Sequence, residues 1–328
     1  MGTDLMRFVV SRLLQGLLVV LGVATIVFVL LHVAPGDPLT VLSEAPQIAP
    51  DALARMRQTY GLDRPLGEQY VRYLGRLARG DLGVSLTQHR PVASALGAAI
   101  PNTIVLALAA LFVDFGLGIA IGVAQGRRGG TRPDHALSLV TVTLYSTPVF
   151  VLGVLLLGVF GGALGWFPLG GSVDPIRHAS LGLAARVGDR IHHLVLPALS
   201  LGLAAAAYTA RHQRSAMLEV LGHDFIRAAR ARGIGERMVL LRHALRNALT
   251  PTLTLAGLAL PVLLSGSVLV ETVFGWPGMG RLAANAIGRR DYPVVTAAAI
   301  LAAMLVVLGN LAADLAARVV DPRLRSIQ

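Results

Sequence analysis

The chain lacks two residue types that many functional sites require. Its 328 residues include no cysteine and no lysine. Without cysteine it has no disulfide framework, thiolate zinc site or cysteine nucleophile. A P-loop needs the lysine of its Gly-Lys-Ser/Thr to reach the phosphates of ATP. The chain is therefore not a P-loop ATPase by itself, and any ATP-driven work needs a partner.

Charge is also scarce. Charged residues make up 14% of the chain and hydrophobic residues 54%, and the mean hydropathy of +0.66 is typical of a membrane protein. All 29 basic residues are arginine, against 18 acidic residues, which leaves a net charge of +11. A charge of this sign suits nucleic acid or the anionic cytoplasmic leaflet of a membrane.

Six apolar runs are long enough to be transmembrane helices, since a hydrocarbon core of about 30 Å needs about 20 helical residues. The first resembles a signal peptide but is too long and has no small-residue cleavage site, so it is predicted to be a retained anchor. The sequence thus predicts an all-α polytopic membrane protein with six spans. The approximate spans are Phe8–Val33, Ile100–Ala124, Leu137–Gly161, Leu194–Ala210, Thr252–Phe274 and Val294–Leu315.

The arginines predict the orientation. They concentrate in "GRRGGTRPD", residues 126–134, and in residues 211–246. Both stretches lie on one side if the spans alternate, and the positive-inside rule places them and both termini in the cytoplasm. The long segment Ala34–Ala99 is then external. It is predicted to form two short amphipathic helices, in 49–65 and 66–83, which either cover the outer ends of the spans or dock a partner.

The basic stretch "DFIRAARARGIGERMVLLRHALRNALTP", residues 224–251, is too charged to face lipid. Asp224 is predicted to cap a helix of about eight residues that Gly233 ends, and a second helical piece is predicted from Glu236 to about Ala248. Pro251 is predicted to open the next span. A helix of this length, about 12 Å, is marginal alone in water. It therefore needs a packing partner.

One face of this short helix carries Phe225, Ala228, Ala229 and Arg232, and its paired alanines would let another backbone approach closely. Three interpretations of the stretch stay open from the residues alone. It is a loop on lipid headgroups, a DNA-reading helix-turn-helix, or a docking helix for a soluble cytoplasmic protein. Tethering at both ends to membrane spans disfavours DNA reading.

The stretch resembles the cytoplasmic "EAA" loop of binding-protein-dependent ABC importer permeases, in the form found in dipeptide and oligopeptide permease subunits. Other segments resemble that family in the same order along the chain. They are "LLQGLLVVLGVATIVFVLLHVAPGDP", "YGLDRPLGEQYVRYL", "GDLGVSL", "HHLVLPALSLGL", "VLVETVFGWPGMGRL", "RRDYPVV" and "GNLAADLAARVVDPRLR". The resemblance therefore covers nearly the whole chain.

The resemblance implies a type I importer permease (MetI-like) fold with a cytoplasmic coupling helix. It also implies a peptide cargo and four kinds of protein or lipid partner: a homologous second permease subunit, two ABC ATPase subunits, an extracytoplasmic binding protein and the bilayer of the bacterial inner membrane. ATP and magnesium would bind to the ATPase subunits, and no cofactor is expected in this chain. Nucleic acid is not an expected partner.

Family positions carry over to the coupling loop residue by residue. Arg227, Ala228 and Ala229 fall on the EAA triplet, and Gly233 falls on its glycine. Arg227 replaces the glutamate of the general motif, so no glutamate contact with the ATPase is expected. The residues expected to couple to the ATPase are Asp224, Phe225, Arg227, Ala228, Ala229, Arg232 and Gly233. Both alanines are expected to fill the ATPase groove.

Asp114 lies in the middle of the second predicted span, where a carboxylate is costly and often functional. Three interpretations remain. It faces a subunit interface or wet cavity with a polar partner, it contacts a substrate amine, or it carries protons. The last would favour a self-contained secondary transporter, which is the alternative from a different class.

Two further groups of residues attract attention. His32, His178, His192 and His193 could suggest a nickel route, but their spacing lacks a third ligand at metal-binding distance and favours a helix start on the outer surface. "FGWPGMGRL" places Trp276, Pro277 and Met279 on a Gly-Pro-rich external loop. These three are predicted to form a gate over the translocation path, and the resemblance implies that they contact the binding protein.

No set of residues suggests catalysis, so no enzymatic activity is expected in this chain. Three regions are predicted: residues 1–99 form the anchor and external segment, 100–316 form the transporter core with the coupling loop 211–250, and 317–328 form a cytoplasmic tail. Related cargoes, namely nickel chelates, glutathione and haem, remain alternatives to di- and oligopeptides.

Overall fold

The computed structural model describes residues 2–33 and 63–320, and these residues are mostly helical. The predicted external helix within 49–65 falls largely outside them, whereas the second external helix is confirmed at Leu66–Ala78. The helices of the described part are α1 (Gly2–Val33), α2 (Leu66–Ala78), α3 (Val92–Arg127), α4 (Arg132–Ser146), α5 (Val149–Leu156), α6 (Leu183–Leu221), α7 (Asp224–Ala231), α8 (Leu245–Val273), α9 (Met279–Gly288) and α10 (Tyr292–Val320).

Four helices of the described residues are long and apolar enough to cross a membrane: they lie in α1, α3, α6 and α10. A fifth span is formed if the bent pair of α4 and α5 with its extension to Ala163 counts as one. The remaining predicted span, Thr252–Phe274, falls in α8, where most side chains between residues 253 and 266 lie outside the described ones. The membrane-spanning helical fold is thus confirmed, and the count of six remains a prediction.

The third span is not one straight helix, so the prediction of a continuous Leu137–Gly161 was wrong. α4 and the segment Val149–Ala163 meet at an angle of 105°. Pro148 explains the break, because it has no N–H to donate and disfavours helical geometry at Thr147 before it. Beyond α5 the chain continues as a π-helix, Leu157–Ala163.

Two other boundaries differ from the sequence prediction. α6 has 39 residues and runs through Pro197, so the helix extends beyond the predicted span Leu194–Ala210 at both ends. Pro251 does not open a helix, since it lies within α8. The second helical piece is split as well: Glu236–Met238 is a short α-helix, and Val239–Ala244 is a π-helix that leads into α8.

The chain divides into two compact units. The first consists of the described residues of Met1–Pro101 with Gly278–Leu305, and the second of Asn102–Pro277 with the described residues of Val306–Gln328. This division cuts across α3 and α10. It therefore differs from the predicted boundary at residue 99 mainly by assigning α9 and the first half of α10 to the N-terminal unit.

The first unit has an apolar core formed by α3, α9 and α10.

Next to α10, the carboxylate of Asp291 is 1% exposed. It accepts hydrogen bonds from Ser85 Oγ at 2.5 Å, Leu86 N at 3.1 Å, and both Thr87 N and Thr87 Oγ1, at 3.1 and 2.7 Å. We call this group the Asp291 clasp. Burial acts to raise the pKa of Asp291, but these hydrogen bonds outweigh it and hold the pKa below its usual value.

Candidate functional site

α7 is the short helix that the sequence predicted within the basic stretch. It contains eight residues, Asp224–Ala231, as predicted. The N-cap is His223 rather than Asp224, which is the first helical residue and places its carboxylate at the positive end of the helix. Gly233 has φ of +75°, which is the left-handed backbone that ends many helices and that glycine adopts without strain.

One side of α7 is anchored within the second unit. Ile226 is 0% exposed and Ala229 is 1% exposed. They pack in an apolar cluster with Met217 of α6, Val239 and Leu240 of the π-helix and the start of α8. Because this cluster excludes water, it supplies the stability that the short helix lacks alone.

The predicted docking face is therefore divided. Ala228 is exposed, whereas Ala229 points into the chain's own core. The expectation that both alanines fill a partner's groove was wrong for Ala229, because consecutive helical residues point about 100° apart. Of the other predicted coupling residues, Asp224, Phe225, Arg227 and Arg232 are exposed, as is the turn residue Gly233.

The exposed surface of α7 combines apolar and basic groups. Phe225 is 43% exposed and stacks on His223 with ring centroids 5.8 Å apart. Met238 and Leu241, on the segment that follows α7, are 51% and 52% exposed. These exposed apolar side chains sit among arginines, which is typical of an interface rather than of a solvated loop.

An ion pair fixes the turn after α7. Arg230 donates from Nε and Nη2 to the two carboxylate oxygens of Glu236, at 3.1 and 2.8 Å. The hydrogen bonds from Arg230 hold the pKa of Glu236 below its usual value. Arg230 is thus held within the chain. Arg227 and Arg232 are exposed and make longer contacts, with Asp224 Oδ1 at 3.4 Å and with the carbonyl of Ala228 at 3.3 Å.

α3 and α6 pack closely through a strip of glycines. A Cβ on Gly118, Gly122 or Gly126 would lie 2.7, 2.6 or 2.4 Å from Thr209, Gln213 or Met217 respectively. Such distances are too short for any side chain, so the strip requires glycine. Gly202 of α6 makes the reciprocal approach to Val113 of α3. α3 and α6 thus approach each other closely along this strip.

Asp114 lies within this pair rather than on its surface. Its carboxylate is 2% exposed and accepts a hydrogen bond of 2.7 Å from Thr209 Oγ1. One turn further along α6, Gln213 accepts a hydrogen bond of 2.6 Å from Thr252 of α8. The polar partner of the first interpretation is thus present, but it belongs to this chain and lies between two helices rather than at a subunit interface or wet cavity.

A buried ion pair that sequence reasoning missed lies towards the end of the α3–α6 pair. Arg214 of α6 donates from Nε and Nη2 to the two oxygens of Asp134 at 2.7 and 2.6 Å. Gly130 N donates to the same carboxylate at 2.9 Å, and Asp134 is 0% exposed. We call this group the Asp134 junction. It ties the arginine-rich turn before α4 to α6.

The residues predicted for an external gate are mostly buried within the chain. Trp276 is 3% exposed, and its Nε1 donates to the carbonyl of Asn102 at 3.0 Å. Asn102 Nδ2 in turn donates to the carbonyl of Pro277. Pro277 itself is exposed. Met279 is 6% exposed in the core of the first unit. Only Pro277 of these three residues thus presents a surface.

The histidines form hydrogen bonds within the chain. His178 Nδ1 and His193 Nδ1 approach the carboxylate of Asp189 at 2.6 and 3.2 Å. His192 Nε2 bonds the carbonyl of Trp166, and His32 Nε2 lies 3.1 Å from Gln69 Oε1. Among the described residues, no group of three or more His, Cys, Asp or Glu side chains is placed to hold a metal ion.

Comparison with protein families gives two matches that together cover nearly the whole chain. Residues 116–326 match the family described as "Binding-protein-dependent transport system inner membrane component". Residues 5–107 match the N-terminal family of the same transport system membrane components.

Full-length relatives carry names of peptide permeases. The chain is 40% identical to the di/tripeptide transport system permease protein DppB of Pseudomonas aeruginosa over 98% of this chain and 99% of the relative. It is 38% identical to the oligopeptide transport system permease protein AppB of Bacillus subtilis over 97% and 98%. The glutathione transport system permease protein GsiC of Salmonella typhimurium is 36% identical over 98% and 99%.

Solved structures support the same fold. The inward-facing MetNI methionine ABC transporter has a chain that superposes with a TM-score of 0.55 at 22% identity, over 69% of this chain and 96% of that one. At this identity the similarity shows the fold alone, and it confirms the MetI-like architecture. Together with the family matches, it establishes that the chain belongs to the family of binding-protein-dependent transport system inner membrane components, the permease subunits of ABC importers.

Proposed function

We propose that this protein is the permease subunit of an importer that moves di- or oligopeptides across the bacterial cytoplasmic membrane by alternating access. The observation that carries the proposal is the match along nearly the full length to relatives named as oligopeptide and di/tripeptide permeases, at 38% and 40% identity. The membrane-spanning helices of the described residues support it.

Transport requires partners that supply energy and capture the cargo. The chain has no lysine and hence no P-loop, so the ATP and magnesium would bind to two ABC ATPase subunits. A homologous second permease subunit would complete the path, and an extracytoplasmic binding protein would deliver the peptide. The family description, which names binding-protein-dependent transport, supports this assembly.

The exposed side of α7 is the proposed contact with an ATPase subunit. Phe225 and Ala228 would enter a groove of the ATPase, with Asp224, Arg227 and Arg232 at its rim and Gly233 at the turn. Ile226 and Ala229 would hold α7 to α6, the π-helix and α8 from the other side. A movement of the ATPase would thus be passed to two long helices through a small buried cluster.

The orientation follows from the arginines. α7 and the turn between α3 and α4 carry clusters of arginine, which the positive-inside rule places in the cytoplasm together with both termini. The Asp134 junction supports the assignment of these two regions to the same side of the membrane. It links the turn to the part of α6 that precedes α7.

Glutathione is the second candidate cargo, because a permease for it is 36% identical over nearly the full length. Glutathione is itself a tripeptide, so both cargoes need a path for a short zwitterionic chain. Competition for uptake in proteoliposomes that contain the complete importer decides between them. Peptide import that excess glutathione inhibits would favour glutathione, and import that only peptides inhibit would favour peptides.

The coupling proposal is tested by replacing Ala228 with Trp. Ala228→Trp should leave the importer assembled in the membrane but lower peptide uptake more than tenfold, because the bulk blocks the close approach that a small side chain permits. Peptide uptake and ATP hydrolysis are measured on the same proteoliposomes. Ala185→Trp, at an exposed alanine of α6 far along the chain from α7, is the matched control and should transport normally.

Two failures of this test have different meanings. Normal uptake by Ala228→Trp would show that α7 does not dock through this surface, while the peptide cargo would stand. Absence of peptide uptake by the wild-type importer would instead refute the cargo.

A further inference from the structure

A cluster of aromatic and cationic side chains lies beside the break between α4 and α5. Tyr145 of α4 and Tyr208 of α6 are 51% and 41% exposed and stack with ring centroids 6.2 Å apart. The guanidinium of Arg211 lies 6.0 Å from the centre of the Tyr145 ring. The ring of His212 lies 4.2 Å from that of Tyr208. We call these four residues the Tyr–Arg patch.

The patch presents hydrogen-bond donors that the described part of the chain does not use. No carboxylate of the described residues pairs with Arg211, and neither tyrosine hydroxyl has a hydrogen-bond partner among them. His212 bonds the carbonyl of Tyr208 through Nδ1, which leaves its Nε2 towards the surface. An exposed guanidinium next to phenol and imidazole groups has the chemistry of a carboxylate site.

The patch lies further from the arginine-rich turn before α4 than the Asp134 junction does. Arg211 lies three residues before Arg214, about 4.5 Å further from the cytoplasmic end of α6. Its guanidinium is directed to Tyr145, which is eleven residues, or about 16 Å, along α4 from Asp134. A lipid-facing arginine near this end would extend towards the headgroups instead. The side chain is therefore directed away from the arginine-rich turn and towards the break between α4 and α5.

The helix break gives an independent reason to place water beside the patch. Ser146 and Pro148 are exposed on the two sides of Thr147, where the helix bends by 105°. Non-helical backbone at membrane depth is tolerated only where protein buries it or where it borders a water-filled cavity. A charged side chain next to such a break is a mark of a transport path.

We propose that Tyr145, Tyr208, Arg211 and His212 form a contact site for the carboxylate of the transported molecule on its way through the membrane. This inference rests on the proposed function and adds the part of the chain that meets the cargo. Arg211 would pair with the terminal carboxylate, and the two tyrosines would donate to it or pack against the neighbouring side chain. The stacking of Tyr145 on Tyr208 couples this contact to the bend between α4 and α5.

The experiment compares trialanine with its C-terminal amide in proteoliposomes that contain the complete importer. Arg211→Gln should lower the uptake of trialanine about tenfold, the cost of one charge-assisted hydrogen-bond pair, and change the uptake of the amide less than twofold. Arg211→Lys should retain more trialanine uptake than Arg211→Gln. Arg190→Gln, which alters an exposed arginine of the same helix, should transport both peptides as the wild type does.

Co-purification of all subunits is measured for each variant. Loss of the complex in Arg211→Gln would show that the arginine belongs to a subunit interface and would overturn the proposal. Uptake of trialanine within twofold of the wild type, or an equal loss for acid and amide, would also overturn it. A wild-type importer that takes up no trialanine would refute the peptide cargo and not the site.

A second readout does not depend on uptake rates. A tripeptide with a diazirine on its C-terminal residue is photolysed in the importer during turnover, and the labelled peptides are mapped by mass spectrometry. Labelling of residues 143–148 or 208–212 that Arg211→Gln abolishes supports the site. Labelling of this chain confined to other segments would overturn it.

Discussion

The Asp134 junction and the Asp291 clasp both close a turn around a buried carboxylate, but they use different donors. Asp134 receives a two-point guanidinium pair from Arg214 and a single backbone N–H, from Gly130. Asp291 receives two backbone N–H groups and two hydroxyls, from Ser85, Leu86 and Thr87. One site is held by charge on a long side chain and the other by neutral groups of a single loop.

The difference determines how each site fails. In an ion pair, removal of one partner leaves the other charge buried and uncompensated. In a site of neutral donors, each hydrogen bond contributes separately, and loss of one leaves the rest in place. The junction, which joins α6 to the turn before α4, should therefore break as a unit, whereas the clasp should weaken in steps.

The largest effect is expected at the junction. Arg214→Met should lower the free energy of unfolding of the chain by about 3 kcal/mol, because it leaves the Asp134 carboxylate buried without its counter-ion. We place the cost at the low end for a buried pair because the Arg214 side chain is 29% exposed. Denaturant titration in detergent micelles measures the change.

Arg214→Lys is the matched variant. It keeps the positive charge but not the two-point geometry, so it should lose less stability than Arg214→Met. Equal losses for the two variants would show that geometry rather than charge dominates, and the contrast with the clasp would then disappear.

A smaller effect is expected at the clasp. Asp291→Asn keeps one carbonyl oxygen but turns an NH₂ group towards donors, so some hydrogen bonds are lost and the hydroxyls of Ser85 and Thr87 have to reorient. The free energy of unfolding should fall by about 2 kcal/mol. Asp81→Asn, at an exposed carboxylate that accepts one bond from Gly83 N, is the control and should change it much less.

The sequence predicted those features that depend on neighbouring residues. The eight-residue α7, its stop at Gly233, the amphipathic α2 and most long helices follow from local composition and glycine placement. It did not show the bend at Pro148, because a proline within an apolar run is tolerated in some helices, such as at Pro197 in α6, and breaks others. The surrounding packing decides which occurs.

Features that join distant residues were not predictable from local pattern. Arg214 and Asp134 are 80 residues apart, and Ser85 and Asp291 are 206 residues apart. The different exposure of the two alanines of α7 also depends on distant residues. Their spacing fitted a groove, but Ala229 is buried by a core that α6, the π-helix and α8 supply.

The smallest expected effect is the pH dependence of the clasp. Its hydrogen bonds hold the pKa of Asp291 below the value in the unfolded chain. The ionised carboxylate thus stabilises the fold above the unfolded pKa, and this contribution is lost as the pH falls through the lower folded pKa. The stability difference between the wild type and Asp291→Asn should be constant from pH 7 to about pH 5 and shrink below pH 4. A difference that stayed constant down to pH 3 would mean that the neutral donors do not favour the charged form, and the clasp would then be held by backbone geometry alone.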